Sequence, residues 1–77
     1  MSSKIDLEVR RFCKNITTLR KRHGLSRQEM AKTLKIHILT LISIECGVLP
    51  RNLGWKILLR IDDAFGISPN DMFSILL

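Results

Sequence analysis

Apolar residues recur along the first third of the chain with the spacing of a single helical face. Ile5, Val9, Phe12, Ile16 and Leu19 step by four, three, four and three residues, which predicts a helix over about 4–22. Ser3 is placed to cap its start, with Asp6 favourable in the first turn. Arg20, Lys21 and Arg22 suit its C-terminal end, and Gly24 supplies a left-handed exit. Ser26-Arg27-Gln28-Glu29 has the form of a capping box, in which a hydroxyl and a carboxylate satisfy each other's backbone amides. It predicts a short helix over about 27–34 with Met30, Ala31 and Leu34 facing inward. After a turn at Lys35-Ile36, a third helix is expected from His37 or Ile38 to Cys46, ended by Gly47, with Pro50 marking the break. A fourth covers about 54–65, its buried stripe formed by Ile57, Leu58, Ile61, Ala64 and Phe65, and Gly66 stops it. Ser68 as cap and Pro69 at the first helical position open a fifth over about 69–76. Residues 36–44 have strand propensity, but their neighbours favour a helix, and context overrides propensity there. The pattern is that of an all-α fold in a single domain, residues 1–77.

Composition narrows the function classes. A chain of 77 residues with 45% hydrophobic but only 5% aromatic residues builds a thin aliphatic core, with room for a binding surface and hardly for an enclosing cleft. No apolar run approaches the roughly 20 residues of a membrane span. Met1-Ser2-Ser3-Lys4 leads into charged sequence, not into a signal-peptide core. A cytoplasmic location without membrane contact is expected. Cys13 and Cys46 match no metal spacing and read as buried or half-buried reduced thiols, so neither metal nor cofactor is expected. No nucleophile, base and acid fall at spacings that the helices would unite, and there is no glycine-rich phosphate loop, so an enzyme is not expected. His23 and His37 read as exposed polar residues, and Asp62-Asp63 as a solvated face. Charge is lopsided: residues 1–35 carry ten cations and three anions, net +7, whereas residues 36–77 are net −1. A basic half suggests a polyanionic partner; a solvated cationic surface is the alternative.

Two short helices separated by a tight turn, within five, suggest a helix-turn-helix at about 27–46. The ordered set Leu19-Arg20, Gly24-Leu25-Ser26, Glu29-Met30-Ala31, Leu34, Ile36, Leu41, Ile44-Glu45, Gly47 and Pro50 resembles the phage-repressor (Cro/C1, Xre) helix-turn-helix family. The resemblance continues through Ile61, Ala64-Phe65-Gly66-Ile67 and Asp71-Met72-Phe73, and spans roughly residues 16–73. It implies a five-helix, lambda-repressor-like DNA-binding domain and a transcriptional regulator. Arg20 and Glu45 occupy positions that pair in this family, a bidentate bond tying the first helix to the end of the third. The third helix is then expected in the major groove of double-stranded DNA, and the N-terminus of the second on the backbone. By position, Ser26, Arg27, Lys35, Arg51 and Asn52 are the phosphate candidates. The family usually has Gln where this chain has Arg27, and the loop after the third helix looks about three residues longer than usual.

The base-reading positions fall on His37, Ile38, Leu39, Thr40, Ile42 and Ser43, where the family mostly has polar residues. Ile38, Leu39 and Ile42 cannot bond base edges but can contact thymine methyls, which points to A·T-rich preference. They can equally form a protein-contact patch, or be covered by another part of the chain or a partner subunit's tail. An interaction module on the same scaffold, such as an antirepressor or antitoxin-like partner, is therefore the second reading. Ile75, Leu76 and Leu77 either cap the monomer core or build a homodimer, and the homodimer is the expectation. Trp55 reads as a core anchor, with base stacking as the alternative.

Overall fold

The structure, a computed structural model, describes residues 4–51 and 53–77. The expected cap Ser3 and the phosphate candidate Asn52 lie outside the described residues. Five helices and no strand occur among those described: α1 (Lys4–Arg22), α2 (Arg27–Leu34), α3 (Ile38–Glu45), α4 (Lys56–Phe65) and α5 (Pro69–Ser74). No helix among them is long and apolar enough to cross a membrane. From Ile38 on, the strand-prone run 36–44 is helical because Leu41 and Ile44, one turn apart, both bury completely in the common core.

Every helix contributes to that core. Phe12, Ile16 and Leu19 come from α1, Met30 and Leu34 from α2, Leu41 and Ile44 from α3, Ile57 and Ile61 from α4, and Met72 from α5. The radius of gyration, 11.5 Å, equals the roughly 11.5 Å expected of a compact domain of this length. Phe73 stacks on Phe12 with ring centroids 4.9 Å apart.

Helix ends explain the chain's turns. After α1, α2 and α3 the chain closes with the same pair of backbone bonds. The Leu25, Ile36 and Val48 amides reach back five residues to Arg20, Ala31 and Ser43, at 2.9, 3.0 and 2.9 Å, the Schellman arrangement. This requires a left-handed residue each time. Gly24 and Gly47 supply two of them, and the third is Lys35, with φ 56. The αL form crowds a Cβ against the carbonyl. Arg60 donates to the Leu34 carbonyl (3.3 Å) and so ties α4 to the end of α2.

Several expectations are corrected. Ile5 is exposed, because α1 outruns the core at its start and the buried stripe begins near Val9. Ala64 is exposed: the inward side of α4 centres on Ile57 and Ile61, with Leu58 and Phe65 on one flank and Ala64 beyond the other. Trp55 is not a core anchor. It precedes α4 on the outward side and is 65% exposed. Cys46 is exposed, while Cys13 is buried. The fourth helix starts at Lys56, after a left-handed Gly54, and the fifth ends at Ser74.

That early end has a specific cause. Asn15, on α1 and fully buried, donates through Nδ2 to the carbonyls of Met72 (2.9 Å) and Ile75 (2.7 Å). Its Oδ1 accepts from the Leu77 amide (2.9 Å). Arg22 also donates to the Leu77 carbonyl. Residues 75–77 are thereby drawn along α1, with Ile75 in extended backbone. Leu77 is half-buried against its own core, whereas Ile75 and Leu76 remain exposed.

Candidate nucleic-acid interface

The start of α2 is fixed by its own sequence. The Ser26 hydroxyl accepts from the Glu29 amide (3.1 Å), and the Glu29 carboxylate accepts from the Ser26 amide (2.9 Å). The Ser26 backbone amide, and then its side chain, hold the Glu29 carboxyl below its ordinary range. The amides of the first turn that remain have no acceptor within the helix, and the helix dipole makes their position favourable to an anion.

Arg27, the first residue of α2, is contacted from the side. Glu45 at the end of α3 binds two arginines at once. Arg20 donates to it through Nε (2.8 Å) and Nη2 (3.1 Å), and Arg27 through Nε (3.3 Å). The Glu45 and Arg20 side chains are only 4% and 14% exposed, whereas that of Arg27 is 52% exposed. Arg20 also donates to the Leu25 carbonyl (3.2 Å). One carboxylate thus joins α1, α2 and α3. The bond between Arg20 and Glu45 is the one that the resemblance implied, and the share taken by Arg27 is an addition.

At the other end of the pair, His37 caps α3, its ring Nδ1 accepting from the Leu39 amide (3.1 Å). Gln28, Lys32, Lys35, Ile36, His37 and Ile38 line a notch of about 620 Å³ between α2 and the start of α3. Lys32 and Lys35 stand on its rim together with the Glu29 carboxylate, and its floor is aliphatic.

The candidate residues separate by exposure. Ser26, Arg27, Lys35, His37, Leu39 and Arg51 are exposed; Thr40, Ile42 and Ser43 are half-buried. Ile38 is half-buried against the chain's own core, which accounts for one of the three surprising aliphatics without any partner. Leu39, 65% exposed, is the one that stays bare. The outward stripe of α3 is completed by Cys46, which sequence reasoning read as buried or half-buried. Arg51 borders a separate small cleft with Leu49, Leu53, Phe12 and Phe73. Gln28 and Lys32 were missed, although Gln28, Lys32 and Lys35 follow an i, i+4, i+7 spacing opposite the buried Met30 and Leu34. Among the described residues no group of three or more His, Cys, Asp or Glu is placed to hold a metal. Compared with known protein families, with curated proteins and with solved structures, the chain matches none.

Proposed function

We propose that α2, the turn at residues 35–37 and α3 form a helix-turn-helix that binds double-stranded DNA, as in transcriptional regulators of the Cro/C1 type. On this reading α3 lies in the major groove and the capped start of α2 abuts a phosphate. The observation that carries it is Arg27. Its guanidinium is held by Nε to Glu45 while its other nitrogens have no acceptor among the described residues, beside amides that also lack one. Guanidinium nitrogens left open in this way suit phosphate. Lys32 and Lys35 around the notch add charge on the same unit. The stripe Leu39, Ile42, Ser43 offers few donors and favours thymine methyls, so A·T-rich sequence is preferred weakly.

Titration of A·T-rich and G·C-rich duplexes at two salt concentrations tests this. Affinity is expected to fall steeply as salt rises, through counterion release. Arg27→Ala weakens both duplexes alike, while Leu39→Ala narrows the difference between them. A bulky maleimide on Cys46 blocks binding, and Cys13, whose thiol burial pushes up, does not react in the folded protein. Absence of salt-sensitive binding to either duplex sinks the proposal. The exposure of Leu39 favours one second reading, a protein-binding face. Leu39→Asp would then abolish a protein complex while duplex titrations stay flat.

A further inference from the structure

α4 carries charge in an order that its own helix does not want. Lys56 stands at its first position, and Asp62 and Asp63 stand in its last turn. A helix dipole favours the reverse, anions at the start and cations at the end. Among the described residues none of the three has an ion-pair partner. Between them Trp55 and Leu59, one turn apart, point outward at 65% and 52% exposure. Together with Arg60 these residues line an open depression of about 620 Å³. The Arg60 head is already committed to the Leu34 carbonyl.

We propose that this face docks on the same face of a second copy of the chain, with the two α4 helices antiparallel about a two-fold axis near Leu59. A two-fold contact needs a surface complementary to itself, and this one is. With Leu59 opposite Leu59, position 56 falls opposite 62 and position 55 opposite 63. Lys56 then faces Asp63 of the second copy on the flank they share, with Asp62 across the seam, and the same contact repeats across the axis. Each helix thereby receives, from the other, the charges its dipole favours. Leu59 closes on its own copy between the two ion-pair clusters, and Trp55 flanks the contact at each end. The exposed Ile75 and Leu76 take no part. A ten-residue helix is about 15 Å long, so the contact is smaller than a standard interface. It is accordingly weak.

Sedimentation equilibrium of the full chain without DNA, up to about 1 mM, tests the surface separately from duplex binding. A monomer–dimer equilibrium is expected. The emission of Trp55, the only tryptophan, should move to shorter wavelength as concentration rises. Leu59→Asp should weaken the dimer about tenfold or more, and Leu76→Asp should leave it unchanged. Lys56→Glu alone, and Asp62→Lys with Asp63→Lys, should each fail to self-associate, while an equimolar mixture of the two regains the dimer. All these side chains are exposed, and circular dichroism verifies that each variant is folded. A wild-type chain monomeric throughout the range, a dimer indifferent to Leu59→Asp, or a mixture that stays monomeric overturns the proposal.

Discussion

α1 holds the molecule together through two polar clamps five residues apart, and they work by different physics. Arg20 reaches towards α2 and α3 and binds a carboxylate that Arg27 shares. Asn15 reaches towards α5 and binds only backbone: two carbonyls and one amide. The ionic clamp specifies a side chain at each end. The amide clamp specifies one side chain and the position of a backbone, whatever residues that backbone carries. The α2–α3 edge is thus tied by chemistry that substitution on either side can break. At the α5 edge Asn15 is the main polar tie, beside the Arg22 bond to the Leu77 carbonyl and the stack of Phe73 on Phe12.

The largest effect expected is from Glu45→Ala. It leaves Arg20 desolvated without its counter-charge, and one-sided removal of this kind costs about 3 kcal/mol. Arg20→Ala should cost less, because Glu45 keeps Arg27, and Arg27→Ala least, since that side chain is half exposed. Urea unfolding of the three variants gives the order directly. Equal losses from Glu45→Ala and Arg20→Ala would mean that the bond from Arg27 contributes nothing.

Asn15→Ala comes next, at about 2 kcal/mol, because it strands two carbonyls and an amide that the amide group had satisfied. Its signature differs in place as well as size. Hydrogen exchange at the Leu77 amide should accelerate, while amides of α2 and α3 keep their protection relative to global unfolding. Asn15→Asp should be worse than Ala, since it turns an acceptor towards the Met72 and Ile75 carbonyls. A variant that loosened α3 before residues 75–77 would remove the distinction between the two edges.

The same difference governs what could be read from the sequence. Helix positions were legible because apolar spacing, the Ser26–Glu29 box, Gly66 and the Ser68-Pro69 start are local signals. The Arg20–Glu45 bond was legible through the family resemblance, which implied a pair of set residue types at those two positions. Asn15 was not: an asparagine inside a helix carries no mark of the backbone it will meet some sixty residues later. Trp55 and Cys46 were misplaced for a related reason. Residue type suggested burial, while the sides of α4 and α3 on which they fall are set by the packing of Ile57, Ile61, Leu41 and Ile44.

Lys35→Gly sharpens the comparison by changing the α2–α3 edge in the stabilising direction. α1 and α3 end on a left-handed glycine, and α2 ends the same way on a lysine. The αL conformation costs a non-glycine residue roughly 1–2 kcal/mol, partly offset by the entropy a glycine loses on folding. A net gain of about 1 kcal/mol follows, a rise in Tm of roughly 4–8 °C for a domain of this size. Because Lys35 also borders the notch, the same variant should bind duplex with a shallower salt dependence. Stability and DNA affinity would then move in opposite directions from one substitution.

The smallest effect distinguishes the edges by pH. The carboxyl of Glu29 sits below its ordinary value in the folded chain, held first by the Ser26 backbone amide. A depressed carboxyl contributes its stabilisation above the unfolded value, about pH 4.3, and loses it as pH falls through the lower folded value. The start of α2 should therefore fray on acidification, while the Asn15 clamp has no titrating group of its own. Amide exchange at Ser26, followed by NMR between about pH 6 and pH 3, should show protection falling there and holding at Leu77. Glu29→Gln can still complete a capping box, and it removes the titrating group. In that variant the Ser26 amide should keep the same protection across the range; a pH dependence that survives would place its origin outside Glu29.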